Sequence, residues 1–86
     1  MLDPKDFPNA IAFAFEAAGG IGEAAKACCR SYQALNKWRQ AACLPRTDYS
    51  GETTYAVQLA NAASRIGNPF DASWLLEASA PQKAVA

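Results

Sequence analysis

Eighty-six residues make one small domain and leave no room for a second. Apolar residues are 51% of the chain, but 20 of them are alanine and five are Val or Ile, so helix propensity is strong and strand propensity weak. Net charge is zero, histidine is absent, and no apolar run approaches the roughly 18 residues of a membrane span; a membrane protein is excluded, as is any chemistry that needs imidazole as base or metal ligand.

Residues 1–7 read as a flexible lead-in. Their two acids do not resemble the basic start of a signal peptide, so nothing points to export. Pro8 fits the first turn of a helix, where its missing N–H costs nothing. That helix carries Ile11, Phe15 and Ala18 on one stripe, with Ala14 beside them and Phe13 set apart to meet another element. Gly19-Gly20 stops it.

A second helix is predicted from Ile21 to Cys28, with Ala24, Ala25 and Cys28 as a small-residue inner face. Cys29-Arg30 forms the turn, and Ser31 caps the third helix, Tyr32 to about Ala42. At 100° per residue, Ala34, Leu35, Trp38, Ala41 and Ala42 share the inward arc of this helix. Tyr32, Gln33, Asn36, Lys37 and Gln40 take the opposite face, and Arg39 lies on the border.

Pro45 ends this unit, and PRTDYSGET reads as a loop. A fourth helix runs from about Glu52 to Ser64, with Glu52 in its first turn, Tyr55, Leu59 and Ala62–Ala63 inward, and Val57 at the edge. Asp71 caps a fifth, ASWLLEAS, which brings Trp74 and Leu75 to the core. Residues 80–86 read as a frayed tail. The expected fold is all-α: one domain over residues 8–79, built from about five short helices.

The charge is unevenly placed. Between Ala24 and Thr47 stand five basic residues, Lys26, Arg30, Lys37, Arg39 and Arg46, and no acid. Cys28, Cys29 and Cys43 fit neither a disulfide framework nor a zinc pattern and read as free thiols. With no nucleophile motif, phosphate loop or metal spacing, an enzyme is not expected, and neither is a cofactor or small-molecule ligand.

The second and third helices with their tight turn have the features of a helix-turn-helix over about residues 21–42. The segment resembles the phage Cro and Cro/repressor-type regulators, including prophage Cro-like and YdaS-like proteins. Gly19-Gly20, Ala24-Ala25, Ser31, Gln33, Ala34, Leu35, Trp38 and Pro45 carry the resemblance, which covers about a third of the chain. It departs in two places. Cys29 stands where the family usually has Gly, so it must accept a positive φ or shift the turn, and Ile21-Gly22 stands where many members place Gln and a small polar residue.

The resemblance implies a lambda-repressor/Cro-like fold and a transcriptional repressor in the cytoplasm of a bacterial host. It would occupy double-stranded operator DNA as a homodimer. Base-reading positions map onto Tyr32, Gln33, Asn36 and Lys37. Phosphate contacts map onto Lys26, Arg30, Ser31, Arg39, Gln40 and Arg46. Phe70 and Trp74 are candidates either for the dimer interface or for the core. The competing readings are a DNA-binding antitoxin, an architectural or excisionase-like protein, and a helical protein-interaction module.

Overall fold

A computed structural model describes residues 3–79. They form one all-helical unit of six α-helices: α1 Ala10–Ala17, α2 Ile21–Cys28, α3 Tyr32–Ala41, α4 Arg46–Ser50, α5 Tyr55–Arg65 and α6 Ala72–Ser79. No strand occurs among the described residues. The expected frayed tail, residues 80–86, lies outside them.

The first helix is the centre of the domain. Ile11, Ala12, Phe13, Ala14, Phe15 and Ala17 are all buried, and α2, α3, α5 and α6 pack around them. A helix apolar on all but the Glu16 side must be enclosed in this way. It starts two residues later than Pro8 suggests. Asn9 is the cap, because its Oδ1 can accept from the Ala12 N–H, at 2.8 Å, and proline offers no such acceptor. Phe13 meets Phe7, Phe70 and Trp74, with ring centroids 5.4–5.8 Å away. The lead-in is therefore not wholly loose: Pro4–Asp6 form a 3-10 turn and Phe7 packs on the first helix. Phe70 and Trp74 belong to this inner aromatic cluster.

Gly19 and Gly20, at φ 112° and 102°, turn the chain from α1 into α2, and the Gly20 N–H closes on the Phe15 carbonyl at 2.9 Å. The inner face of α2 is Ala24, Ala25 and Cys28, as the spacing predicts. These short side chains let α2 lie close to α5 and α3. Cys28 is a free thiol, with its pKa raised from 9.0 to about 12, first by burial and then by the charge of Asp48.

Three expectations about the middle of the chain fail. PRTDYSGET is not simply a loop, because α4 occupies Arg46–Ser50. Pro45 precedes this helix at φ −58°, accepting from the Asp48 N–H at 2.9 Å, and Gly51 closes it in the left-handed region at φ 90°. Glu52 falls in the turn after α4, so it is not in the first turn of the next helix, which begins at Tyr55. In α3, Ala41 is exposed and not inward, since the helix ends there and Ala42 turns away at φ 62°.

The reason α5 starts at Tyr55 is Asp48. This carboxylate is 4% exposed. Its Oδ1 accepts from the Thr53 hydroxyl at 2.8 Å and the Tyr55 N–H at 2.6 Å, and its Oδ2 accepts from the Ala56 N–H at 3.1 Å. Thr54, the residue before the helix, makes no side-chain cap. Asp48 thus does from a distance what an N-cap does locally, and its charge favours the positive end of the helix. Nearby, the Tyr49 hydroxyl accepts from the Leu44 N–H at 2.9 Å and lies 2.7 Å from the Ser79 hydroxyl, which joins α4 to the end of α6.

Asp48→Ala leaves two helix N–H groups without partners and the Thr53 hydroxyl with Thr47 alone, so it should lower stability by about 2–3 kcal/mol in urea denaturation. The raised Cys28 pKa predicts an alkaline loss. Its stabilising share is complete below pH 9, the unfolded value, and disappears as pH rises towards about 12. Between these limits Cys28→Ala should lose stability with pH less steeply than the parent.

Candidate nucleic-acid interface

The turn between α2 and α3 sets the geometry of the basic segment. Cys29 adopts φ 56°, ψ 42°, the first of the two outcomes open to a residue that stands where the resemblance has glycine. The strain is on the order of 1 kcal/mol. Hydrogen bonds offset it: the Cys29 N–H reaches the Lys26 carbonyl at 3.3 Å and the Arg30 N–H reaches Ala25 at 3.1 Å. Ser31 then caps α3, its Oγ accepting from the Ala34 N–H at 3.2 Å.

The third helix is seated on two residues. Leu35 is fully buried. Trp38 is half-buried rather than enclosed, with its ring 5.0 Å from that of Tyr55 on α5. Arg30 lies over the same Tyr55 ring, at 5.9 Å. Tyr55 is thus a platform for both the turn and α3. An aromatic at the start of a helix reads only as core in the sequence, and nothing there names its partners.

The outward side of α3 carries Tyr32, Gln33, Lys37, Arg39 and Gln40, all exposed, and a half-buried Asn36. Ser31, Gln33, Ala34, Lys37 and Trp38 line one open groove of about 490 Å³. Asn36 belongs to a different group: its Oδ1 accepts from Arg39 Nη2 at 2.7 Å. The Arg39 carbonyl accepts from Asn9 Nδ2 at 3.1 Å, which ties the end of α3 to the start of α1.

Other cations stand apart. Lys26 pairs with Glu23 at 3.5 Å, both exposed, and lines a cleft of about 330 Å³ with Arg65 and Ile66 rather than the α3 groove. An exposed pair of this kind holds its partners weakly, at about 0–1 kcal/mol. Arg46 is exposed in the first turn of α4. Arg65, at the end of α5, joins the exposed cations although it lies outside the basic segment.

Tyr32 gives a reason for Gly22. Tyr32 is 59% exposed, yet its hydroxyl lies 3.1 Å from the place a Cβ on Gly22 would take. Gly22 makes room for a phenol on the first turn of α2, and that turn has no side-chain cap.

Neither protein-family models nor curated proteins nor solved structures give a match to this chain. Among the described residues no helix is long and apolar enough to cross a membrane, and no group of three potential metal ligands occurs.

Gly22→Ala tests the Tyr32 contact. Alanine favours the helix by about 0.5–1 kcal/mol, and the exposed Tyr32 ring can give way. Melting should therefore rise slightly while the Tyr32 hydroxyl is displaced. A clear loss of stability would mean that the ring is held in place.

Proposed function

We propose that the protein is a sequence-specific DNA-binding transcriptional repressor of phage or prophage Cro type, with α2 and α3 as its helix-turn-helix. The observation that carries this reading is the construction of α3. Its back rests on Leu35 and Trp38, and its exposed front carries amides and cations within a stretch of 24 residues free of acids. A reading helix needs an apolar back and a hydrogen-bonding front that can enter the major groove.

In this reading Gln33 pairs with adenine and Lys37 with guanine N7 and O6, from the groove they share with Ser31. Tyr32 meets DNA from the first turn of α2, where its hydroxyl serves in place of the polar side chain that Ile21-Gly22 lacks. Arg30, Ser31, Gln40 and Arg46 hold phosphates, and Lys26 leaves its weak pair with Glu23 to do the same. Zero net charge does not oppose this, because charges beyond about 10 Å are screened at 0.1 M salt. Repression follows from occupying operator DNA and excluding polymerase. One reading helix makes few contacts, so two copies bind half-sites about 34 Å apart.

Selection of sites from a random DNA pool, followed by titration at several salt concentrations, tests this function. A near-palindromic site should emerge. Affinity should fall with a log–log slope of about −7 if a dimer neutralises about four phosphates per protomer. Gln33→Ala and Lys37→Ala should each cost about 1–3 kcal/mol on the selected site and little on random DNA. No enrichment together with a slope near zero would favour the helical interaction module, and strong bending of the bound DNA would favour an architectural role.

A further inference from the structure

We infer that Arg39 is a base-reading residue selective for guanine, and that Asn36 is the positioning residue that aims it. This rests on the DNA-binding reading above and changes the role of both residues within it. From helical position alone Arg39 borders the polar face, suited to a phosphate, and Asn36 faces out as an adenine reader.

The hydrogen bond between them alters both assignments. Arg39 Nη2 donates to Asn36 Oδ1 at 2.7 Å, a short contact from an ionised donor. Such bonds are about twice as strong as neutral ones. Bidentate pairing with adenine needs Asn36 Oδ1 to accept from the base while Nδ2 donates to it. That oxygen is already engaged by a cation. Asn36 is also the least exposed polar residue on the front of α3, half-buried where Gln33 and Lys37 are open.

For Arg39 the same bond has the opposite consequence. It draws the guanidinium from the border of the helix back along the row formed by Tyr32, Asn36 and Arg39, which are four and three residues apart and share a face. The residue is restrained at its other end too, since Asn9 Nδ2 donates to the Arg39 carbonyl. A phosphate contact asks only for charge. A guanidinium fixed in orientation has four N–H donors left after the one given to Asn36, and two of them match the paired O6 and N7 acceptors of guanine. Holding the fork in advance lowers the ordering cost of that contact.

The experiment uses the full chain and a random DNA pool, with selection repeated for Asn36→Ala, Asn36→Asp, Arg39→Ala and Arg39→Lys. Circular dichroism melting checks that each variant is folded. The parent should select a site with at least one strongly preferred G·C pair per half-site. Arg39→Lys keeps the charge but loses the fork, and should lose that preference with a fall of about 10–100-fold on the parent's site. Asn36→Ala should lose the preference at the same pair. Adding it to Arg39→Ala should cost no more than Arg39→Ala alone. Asn36→Asp keeps the acceptor, so it should retain the guanine preference at lower overall affinity.

Two results would overturn the inference while leaving the DNA-binding reading intact. One is Arg39→Ala weakening selected and random DNA equally. The other is Asn36→Ala relaxing an A·T pair that Arg39→Ala leaves untouched. If the parent itself enriches no site and shows no salt-sensitive binding, the DNA-binding reading fails first and the inference with it.

Discussion

A single buried carboxylate holds the middle of this domain together. Asp48 accepts from the Tyr55 and Ala56 N–H groups and so fixes where α5 begins. Tyr55 is also the platform on which Trp38 of α3 and Arg30 of the turn rest. One chain of contacts therefore runs from the carboxylate to the Tyr55 backbone, from the Tyr55 ring to Trp38, and from Trp38 to the exposed face of α3. A charge is costly to bury unless it is hydrogen-bonded, and here three donors meet it. The cost of desolvation is met by contacts that set the register of two helices against each other. Asp48 also raises the Cys28 pKa, second to burial, which places the thiol of α2 within reach of the same charge.

The parts of the fold that were legible in the sequence are those with enough length to show a period. The ten residues of α3 give almost three turns, so Leu35 separates cleanly from Gln33 and Lys37. The inner face of α2 and the positive φ of Cys29 follow from equally local rules. The fourth helix escaped because five residues show no period, and because Asp48 acts on residues seven and eight positions further on. A local signal was present nonetheless: Pro45 immediately before the segment and Gly51 immediately after it are the punctuation of a short helix. The end of α3 had no such mark. Ala42 enters the left-handed region without being glycine, so the helical wheel carried Ala41 inward past the last turn that exists.

At the candidate site the sequence separates front from back but not partner from partner. Residues 36 and 39 are neighbours on any helix, and so are 33 and 37. The first two are joined by a hydrogen bond, and the other two flank one groove. That difference depends on rotamers, which helical spacing leaves open. The role of Gly22 was equally hidden. Its missing side chain reads as a loss of polarity at the start of α2, until the hydroxyl of Tyr32 is found 3.1 Å from where a Cβ would stand.

The five cations between Ala24 and Thr47 are not equivalent once their neighbours are considered. Arg30 lies over an aromatic ring, Arg39 is bonded to an amide, and Lys26 is loosely paired with a carboxylate. The two arginines are held by neutral groups, which orient a guanidinium without cancelling its charge. The lysine is held by an acid, which cancels charge without orienting the flexible stem. A planar fork gains from being aimed, whereas a point charge on a flexible stem gains little. The way each cation is restrained therefore follows the chemistry of its side chain. The arginines nearest the α2–α3 turn and the last turn of α3 are set in place in advance.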